Sequence, residues 1–380
     1  MREPEHPLLL YITDAEALGG AEGYLQTLLL HADQQRYRVG LALPPRLATR
    51  PLVELVRAHG VDVYPLDIVH HDGLNAGAVA RSVALLHRLR PAIVHFNLPS
   101  PRRSAETVLA AWLLGIQRRL ATFQLVTPVP RFGWLGSRVR GLNRRLQYRT
   151  LHHGIAVSQG NYRLLAEQYG FSPARLALIP NAVDTDLFRP MPNDGALREA
   201  WGVPTDAPLI GLIGRLSRQK GHVGLFAALP AIWLAFPDAH VVLAGAGELE
   251  QDLRTQASQI DPLGQIRFVG QQLDMPRVLA AIDIFVLPSL YEGLSFAVLE
   301  AMATERAIVA TAVDGTVEVI EDGRTGLLIP PGAPEALAAA ITRLLADPML
   351  RVRIGRAARQ TILHGFDQRQ MLARTFTLYN

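Results

Sequence analysis

Short apolar runs recur at regular intervals along this chain, and that rhythm constrains the fold more than any other feature. Runs at 8–12, 39–43, 62–65, 92–96, 120–123, 154–157 and 176–179 are too short for buried helices and read as strands. Helical stretches at 21–31, 52–59 and 76–89 fall between the first of them. A polar, turn-rich segment, 181–192, ends in Pro190 and Pro192 and reads as a linker. A second series follows, with strands at 209–213, 240–244, 266–269, 282–287, 307–311 and 326–329. Its helices are expected at 223–236, 248–259, 275–280 and 296–304, and 335–379 reads as helical with breaks near Pro348 and Gly365. Strands alternating with helices imply parallel sheets covered on both faces. Two such series joined by one linker predict two Rossmann-like α/β domains facing across a cleft. Their expected limits are 1–185 and 186–362, with a closing helix at about 363–380.

A length of 380 residues suffices for two ordinary domains, and 49% hydrophobic with 19% charged residues is a globular composition. Cysteine is absent, which excludes disulfides and thiolate metal sites and fits a reducing cytoplasm. The apolar run at 8–12 is too short for a signal peptide, and no stretch approaches the roughly 20 residues of a spanning helix. The chain therefore reads as soluble or peripheral.

Lysine plus arginine number 38, yet Lys220 is the only lysine. Residues 101–150 carry ten arginines against one acid, Glu106. Within them Trp134, Leu135, Val139, Leu142 and Leu146 recur at helical spacing, with Arg138, Arg144, Arg145 and Arg149 between. A basic amphipathic helix of this kind, 131–149, either lies on an anionic membrane surface or presents a solvated arginine face. No nucleic-acid-binding module accompanies it, so no nucleic-acid partner is expected.

Candidate chemistry sits at the ends of the predicted strands. Gly19 and Gly20 follow the first strand, as a tight turn or as a loop through which backbone approaches a phosphate. Gly214, Arg215 and Lys220 follow the first strand of the second series. An arginine fork bonds phosphate oxygens bidentately and a lysine adds a movable charge, so this pair suits a diphosphate. Glu292 precedes a helix that Ser295 is placed to cap, and Glu300 lies two turns inside it on the same face. Carboxylates beside a helix N-terminus suit a sugar diphosphate: hydroxyls donate to the carboxylates, and phosphate meets the helix end. Ala244-Gly245-Ala246-Gly247 is a second glycine turn that lacks the full dinucleotide fingerprint.

In order and spacing these elements resemble the family-4 glycosyltransferases of GT-B fold. The elements are Gly19-Gly20-Ala21-Glu22, Val157-Ser158, Ile179-Pro180-Asn181-Ala182-Val183-Asp184, Gly214-Arg215 with Lys220-Gly221, and Glu292-Gly293 with Glu300 seven residues beyond. The resemblance implies transfer of a sugar from a nucleotide donor of UDP, GDP or ADP type to a glycan or lipid-linked acceptor. Retained anomeric configuration and independence from metal or other cofactor are implied with it. It assigns Arg215 and Lys220 to the diphosphate and Glu292 to the donor sugar. Gly293, Leu294 and Ser295 offer amides to phosphate, Glu300 holds the ribose, and backbone near Phe268 and Gly270 meets the base. Gly19 and Gly20 are expected at the phosphates, and the last helix is expected to cross back to the first domain. Surface-polysaccharide or glycolipid assembly is the context the family commonly serves.

Three positions depart from the family pattern. Gln124 follows Ala121-Thr122-Phe123 where members often carry histidine, and it cannot titrate near neutral pH. His95-Phe96-Asn97 keeps one histidine of a His-x-His pattern; His95 reads as a structural or an acceptor-side group, with Asn97 and Gln124 beside it on the acceptor side. Glu305-Arg306-Ala307 replaces a Gly-x-Pro turn. The rival readings are a nucleotide-sugar epimerase on the same fold and a nucleotide-sugar-binding protein with a degenerate acceptor side. A pyridoxal-dependent phosphorylase conflicts with the single lysine already assigned to phosphate.

Overall fold

The runs of the first half form β1 (Leu8–Thr13), β2 (Arg38–Leu43), β3 (Asp62–Pro65), β4 (Ile93–Leu98), β5 (Arg118–Phe123), β6 (His153–Ala156) and β7 (Leu176–Leu178). The structure is a computed structural model and describes residues 6–15, 18–67, 75–101, 103–129, 148–193 and 195–380. These strands make one sheet in the order β3-β2-β1-β4-β5-β6-β7, every neighbouring pair parallel. All six residues of β1 and of β4 are buried, as expected for central strands covered on both faces. The helices among them are α1 (Gly20–His31), α2 (Arg50–Ala58), α3 (Ala76–Leu89), α4 (Ala105–Leu113) and α5 (Gln159–Glu167). Asn75 caps α3 and Ser158 caps α5, each accepting a main-chain N–H three residues on at 3.0 Å.

The second half folds as β8 (Leu209–Ile213), β9 (His240–Ala244), β10 (Ile266–Gly270), β11 (Ile284–Leu287), β12 (Ala307–Thr311) and β13 (Leu327–Ile329). Their order is β10-β9-β8-β11-β12-β13, again parallel throughout. Its helices are α6 (Ala196–Ala200), α7 (His222–Ala235), α8 (Glu250–Ile260), α9 (Met275–Ala281), α10 (Phe296–Ala303), α11 (Thr316–Val319), α12 (Pro334–Ala346), α13 (Pro348–Gly365) and α14 (Gln368–Thr377). The period of two along each strand divides the core. Ile210 and Leu212 of β8 join Leu225, Leu229, Leu337 and Ile341 on one face. Leu209 and Ile213 join Val298, Met302, Ala358 and Ile362 on the other. Parallel strands oriented this way bring all their C-terminal ends to one edge of the sheet, where the candidate residues lie.

The chain divides into one unit of Met1–Pro180 with Met371–Asn380 and a second of Asn181–Gln370. The division falls five residues before the expected limit of 185. Asn181 to Thr185 belong with the second unit because Val183 bridges Asp367 and Thr185 donates to the Asp367 carboxylate at 2.6 Å. The return to the first unit begins at Met371 rather than near 363. The reason is that α13 runs unbroken to Gly365 with Ile362 fully buried against the second core. Helices α4, α5, α6 and α11 were not among the expected ones. In α4, Val108, Ala110 and Ala111 are buried within a nearly continuous apolar run that shows no clear 3.6-residue period. The arginine-rich stretch 131–149 lies almost wholly outside the described residues. Among the described residues no helix is long and apolar enough to cross a membrane.

Candidate active site

In the second unit, β8 ends at Ile213 and the chain turns through Gly214, Arg215 and Leu216 into a short 3-10 turn, Arg218–Lys220. Leu216 is buried and anchors this loop, leaving Arg215 and Arg218 exposed beside it. Gly221 closes the turn at φ +71°, in the left-handed region. A Cβ there would stand 1.9 Å from the Pro288 carbonyl oxygen, so only glycine lets the loop lie against the end of β11. That approach brings Lys220 to Glu292. The ammonium lies 2.6 Å from Oε1 of the carboxylate.

Glu292 is 5% exposed, and it is held from three sides. Besides Lys220, Ser289 Oγ donates to Oε1 at 2.7 Å and Gln219 Nε2 reaches Oε2 at 3.5 Å. The Gln219 amide also donates to the Tyr291 carbonyl at 2.9 Å, and Leu290 N–H donates to the Gln219 carbonyl at 2.8 Å. Thr311, at the end of β12, donates to the Ser289 carbonyl at 2.5 Å. A buried carboxylate needs this density of partners, because desolvation alone would expel its charge. Ser289, Gln219 and Thr311 were not singled out from the sequence. Ser289 and Gln219 sit three and one places from residues that were, but nothing in their spacing marks them.

The Arg215 side chain makes no hydrogen bond or ion pair among the described residues and is exposed. It is a free fork on the loop that carries Lys220. Past Glu292 the turn through Gly293 and Leu294 is pinned twice. Asn181 Nδ2 donates to the Leu294 carbonyl at 2.9 Å. Gly315 also packs so closely that a Cβ there would stand 1.7 Å from the Gly293 oxygen. Ser295 occupies the cap position of α10, but its side chain makes no capping bond. The first N–H groups of α10 therefore lack a side-chain acceptor and present the positive end of the helix. Glu300, further along α10, is half-buried, and burial pushes its carboxyl up to about 7 from an ordinary 4.5. It makes no side-chain hydrogen bond among the described residues. Gly270 ends β10, its carbonyl accepting from Gly245 N–H at 2.8 Å.

The first unit gathers the other candidates. Gly19 occupies the cap position of α1 in an extended conformation, with Gly20 the first helical residue and no side-chain cap. Asn97, near the end of β4, donates to the Ala21 carbonyl of α1 at 2.8 Å and accepts from Gln124 Nε2 at 3.1 Å. Gly19, Gly20, Asn97 and Gln124 thus meet at the C-terminal edge of this sheet. His95, two residues earlier, is fully buried beneath them. Its Nδ1 pairs with the Tyr379 hydroxyl at 2.5 Å and its Nε2 with Thr122 Oγ1 at 2.8 Å. The Tyr11 ring lies 5.5 Å away, centroid to centroid. Burial pushes the imidazole down to about 3. Of the two readings open to His95, the geometry fits the structural one: a neutral ring that anchors the C-terminal Tyr379. Tyr379 itself carries no signal in the sequence that would have predicted this contact. No cluster of three or more His, Cys, Asp or Glu that could hold a metal is present among the described residues.

Two family patterns match the chain. The one described as Glycosyltransferase Family 4 covers residues 18–187, and the one described as Glycosyl transferases group 1 covers 193–361. The chain belongs to the family-4 glycosyltransferases. Among curated relatives, the alpha-maltose-1-phosphate synthase of Mycolicibacterium smegmatis is 34% identical over 59% of this chain and 62% of its own length. The lipopolysaccharide core biosynthesis glycosyltransferase LpsE of Rhizobium meliloti is 33% identical over 45% of this chain and 49% of its own. The chain thus spans about half to three fifths of the length of these two relatives. Among solved structures, Anabaena Alr3699/HepE in complex with UDP-glucose superposes with a TM-score of 0.79 at 24% identity, covering 98% of this chain and 100% of that one. This likeness establishes the GT-B fold.

Within the family, the Glu305 departure has a local explanation. Glu305 adopts φ +59°, the left-handed conformation that glycine takes without cost. Arg306 then donates to the Thr304 and Ile282 carbonyls at 3.2 and 3.1 Å, holding the turn that proline would otherwise stiffen.

Proposed function

We propose that this chain transfers a sugar from a nucleoside-diphosphate sugar to a hydroxyl acceptor, with retention at the anomeric carbon and without a metal. The observation that carries the reading is the Lys220–Glu292 contact at 2.6 Å, set between a free Arg215 and the uncapped end of α10. Without donor, the two charges neutralise each other and hold their positions. With donor, the diphosphate draws Lys220 and Arg215, and a sugar hydroxyl donates to Glu292. The bond from the anomeric carbon to the phosphate oxygen then breaks while the acceptor oxygen bonds the same face of that carbon. The acceptor proton passes to the departing phosphate, so no histidine at position 124 is required. Charge accumulating on the nucleoside diphosphate meets preorganised cations and helix amides, which is where electrostatic catalysis is strongest. We assign Glu300 to the ribose hydroxyls, backbone at Gly270 to the base, and acceptor recognition to the Asn97–Gln124 edge of the first unit. The UDP-glucose bound by Alr3699/HepE makes UDP-sugars the first donors to test. LpsE is named for lipopolysaccharide core biosynthesis, which supports a role in surface-polysaccharide or glycolipid assembly on the cytoplasmic side of a membrane.

The test is a thermal-shift panel of UDP-, GDP- and ADP-sugars, followed by release of nucleoside diphosphate with and without EDTA. Stabilisation grows with ligand concentration over its dissociation constant, so one nucleotide class should separate from the others. Release that survives EDTA supports the metal-free scheme, and NMR of the product reports its anomeric configuration. No shift with any nucleotide overturns the transferase reading. The Gln124–Asn97 hydrogen bond favours one second reading, a nucleotide-sugar-binding protein whose acceptor edge no longer works. A donor that binds but is neither hydrolysed nor transferred would establish it.

A further inference from the structure

Behind the loop that carries Lys220 lies a partly enclosed cavity of about 290 Å³ in the second unit. Its walls are mainly apolar, including Leu249, Leu253, Pro288, Leu290, Ile329 and Leu337, and Thr311 reaches its edge. Three features distinguish it from a packing defect. First, His222 lines it at 2% exposure, and the Ser217 main chain can meet only one of its ring nitrogens, so at least one is left without a hydrogen-bond partner among the described residues. A buried polar group left this way costs about 1–3 kcal/mol unless something in the cavity meets it. Second, Gly224 lines the same space from the first turn of α7. A Cβ at Gly224 would meet nothing within 4 Å, so packing does not require glycine there; it leaves the cavity open. Third, one wall is made of Ser217, Arg218 and Gly221, the loop that sets Lys220, and the opposite one includes Pro288 and Leu290, which flank Ser289.

We propose that this cavity is a binding site for a small uncharged amphiphile, an apolar body bearing one hydroxyl, and that its occupancy adjusts the Lys220–Glu292 contact. The ring nitrogen left over is a donor or an acceptor according to tautomer, and a hydroxyl serves either. The volume suffices for a single-ring molecule, since a cavity of about 150 Å³ already holds benzene. A ligand seated there presses on Gly221 and Pro288, which already touch, and so reaches Lys220 and Glu292 through the main chain. Binding does not depend on the transferase reading; the consequence for donor affinity does.

Phenol is the probe. In wild-type protein it should shift the His222 imidazole resonances saturably and raise the Tm, and it should change the Kd for UDP at least threefold. Gly224→Leu, which fills the space from α7, should fold with an equal or higher Tm and lose both phenol responses. His222→Phe should bind phenol and benzene alike, where wild type prefers phenol. Phenol that leaves His222 unmoved, or that binds Gly224→Leu as tightly as wild type, overturns the site. Saturable binding with an unchanged Kd for UDP overturns the link to the clamp. If UDP itself fails to bind while phenol binds as described, the site stands and the nucleotide reading falls.

Discussion

Glu300 gives the sharpest quantitative test. Its carboxyl is pushed up to about 7 by burial, against an ordinary 4.5, and no side-chain hydrogen bond among the described residues supports the ionised form. A folded-state value above the unfolded one means that the unfolded chain releases this proton first. Stability contributed by the neutral group is therefore full below pH 4.5, falls as pH rises, and is gone above about pH 7. At about 1.4 kcal/mol per unit, the loss at pH 8 is at most about 3 kcal/mol. Glu300→Gln should recover up to that amount at pH 8 and nothing at pH 4, read as urea midpoints at the two pH values. If ribose hydroxyls donate to this carboxylate, donor binding requires the ionised form. Wild-type affinity for UDP-glucose should then tighten as pH rises from 5.5 to 7.5 and level off, with a proton released on binding below pH 7. Glu300→Gln should bind about 10- to 100-fold more weakly at pH 8, the loss of one or two charge-assisted hydrogen bonds at about 1.5–3 kcal/mol each, partly replaced by the amide. It should also lose the pH dependence. Calorimetry in two buffers of different ionisation enthalpy measures both quantities. UDP-glucose is preferable to UDP because its diphosphate has no free terminal group to titrate in this range. A wild-type affinity that weakens with rising pH, or a Gln variant that binds equally well at pH 8, refutes the assignment of Glu300 to the nucleotide.

Three further outcomes follow from the same geometry. Lys220→Met leaves the Glu292 carboxylate buried without its cation, so urea denaturation should show a loss of about 3 kcal/mol, and UDP should weaken far more than uridine; equal losses for both ligands contradict the phosphate clamp. Gly315→Ala forces a Cβ toward the Gly293 oxygen and should displace the start of α10, lowering transfer at least tenfold with a smaller effect on Tm; unchanged turnover removes that turn from the site. His95, held down to about 3, contributes stability that is full above pH 6.5 and lost as pH falls toward 3, so His95→Phe should flatten the acid limb of the stability curve, and an unaltered limb would place its cause elsewhere.

The alternation of short apolar runs with helical stretches revealed both sheets, because a strand buried on both faces needs an uninterrupted apolar run and such runs stand out locally. Helix α4 escaped because Val108, Leu109, Ala110 and Ala111 are apolar on every side, which erases the period that distinguishes a helix. Arg215, Lys220 and Glu292 stood out as charged residues near strand ends and Glu300 by its place inside the following helix, and the structure brings Lys220 and Glu292 together. Ser289, Gln219 and Thr311 did not stand out. A serine two places past a strand has no distinctive neighbourhood in one dimension, and only the pairing of β11 with β12 carries Thr311 to the Ser289 carbonyl. The same limit concealed the partner of His95, since the sequence separates it from Tyr379 by 284 positions.

What holds the second unit's site together is main chain against main chain more than side chain against side chain. Gly221 lies on the Pro288 carbonyl and Gly315 on the Gly293 carbonyl, each closer than any Cβ allows. Between these two contacts runs the turn that carries Ser289, Glu292 and the start of α10. Its position is thus fixed by backbone that cannot slide without lifting a glycine off its seat. Of the charged groups, the Arg215 side chain is exposed and unpaired, while Lys220 is held against Glu292 at 2.6 Å. On the proposed reading, the donor exchanges the Lys220–Glu292 pair for its own phosphate and hydroxyl contacts without moving this backbone. The reorganisation cost then falls on one lysine rather than on a loop, and the amides at the start of α10 need not move, as preorganised electrostatic stabilisation favours.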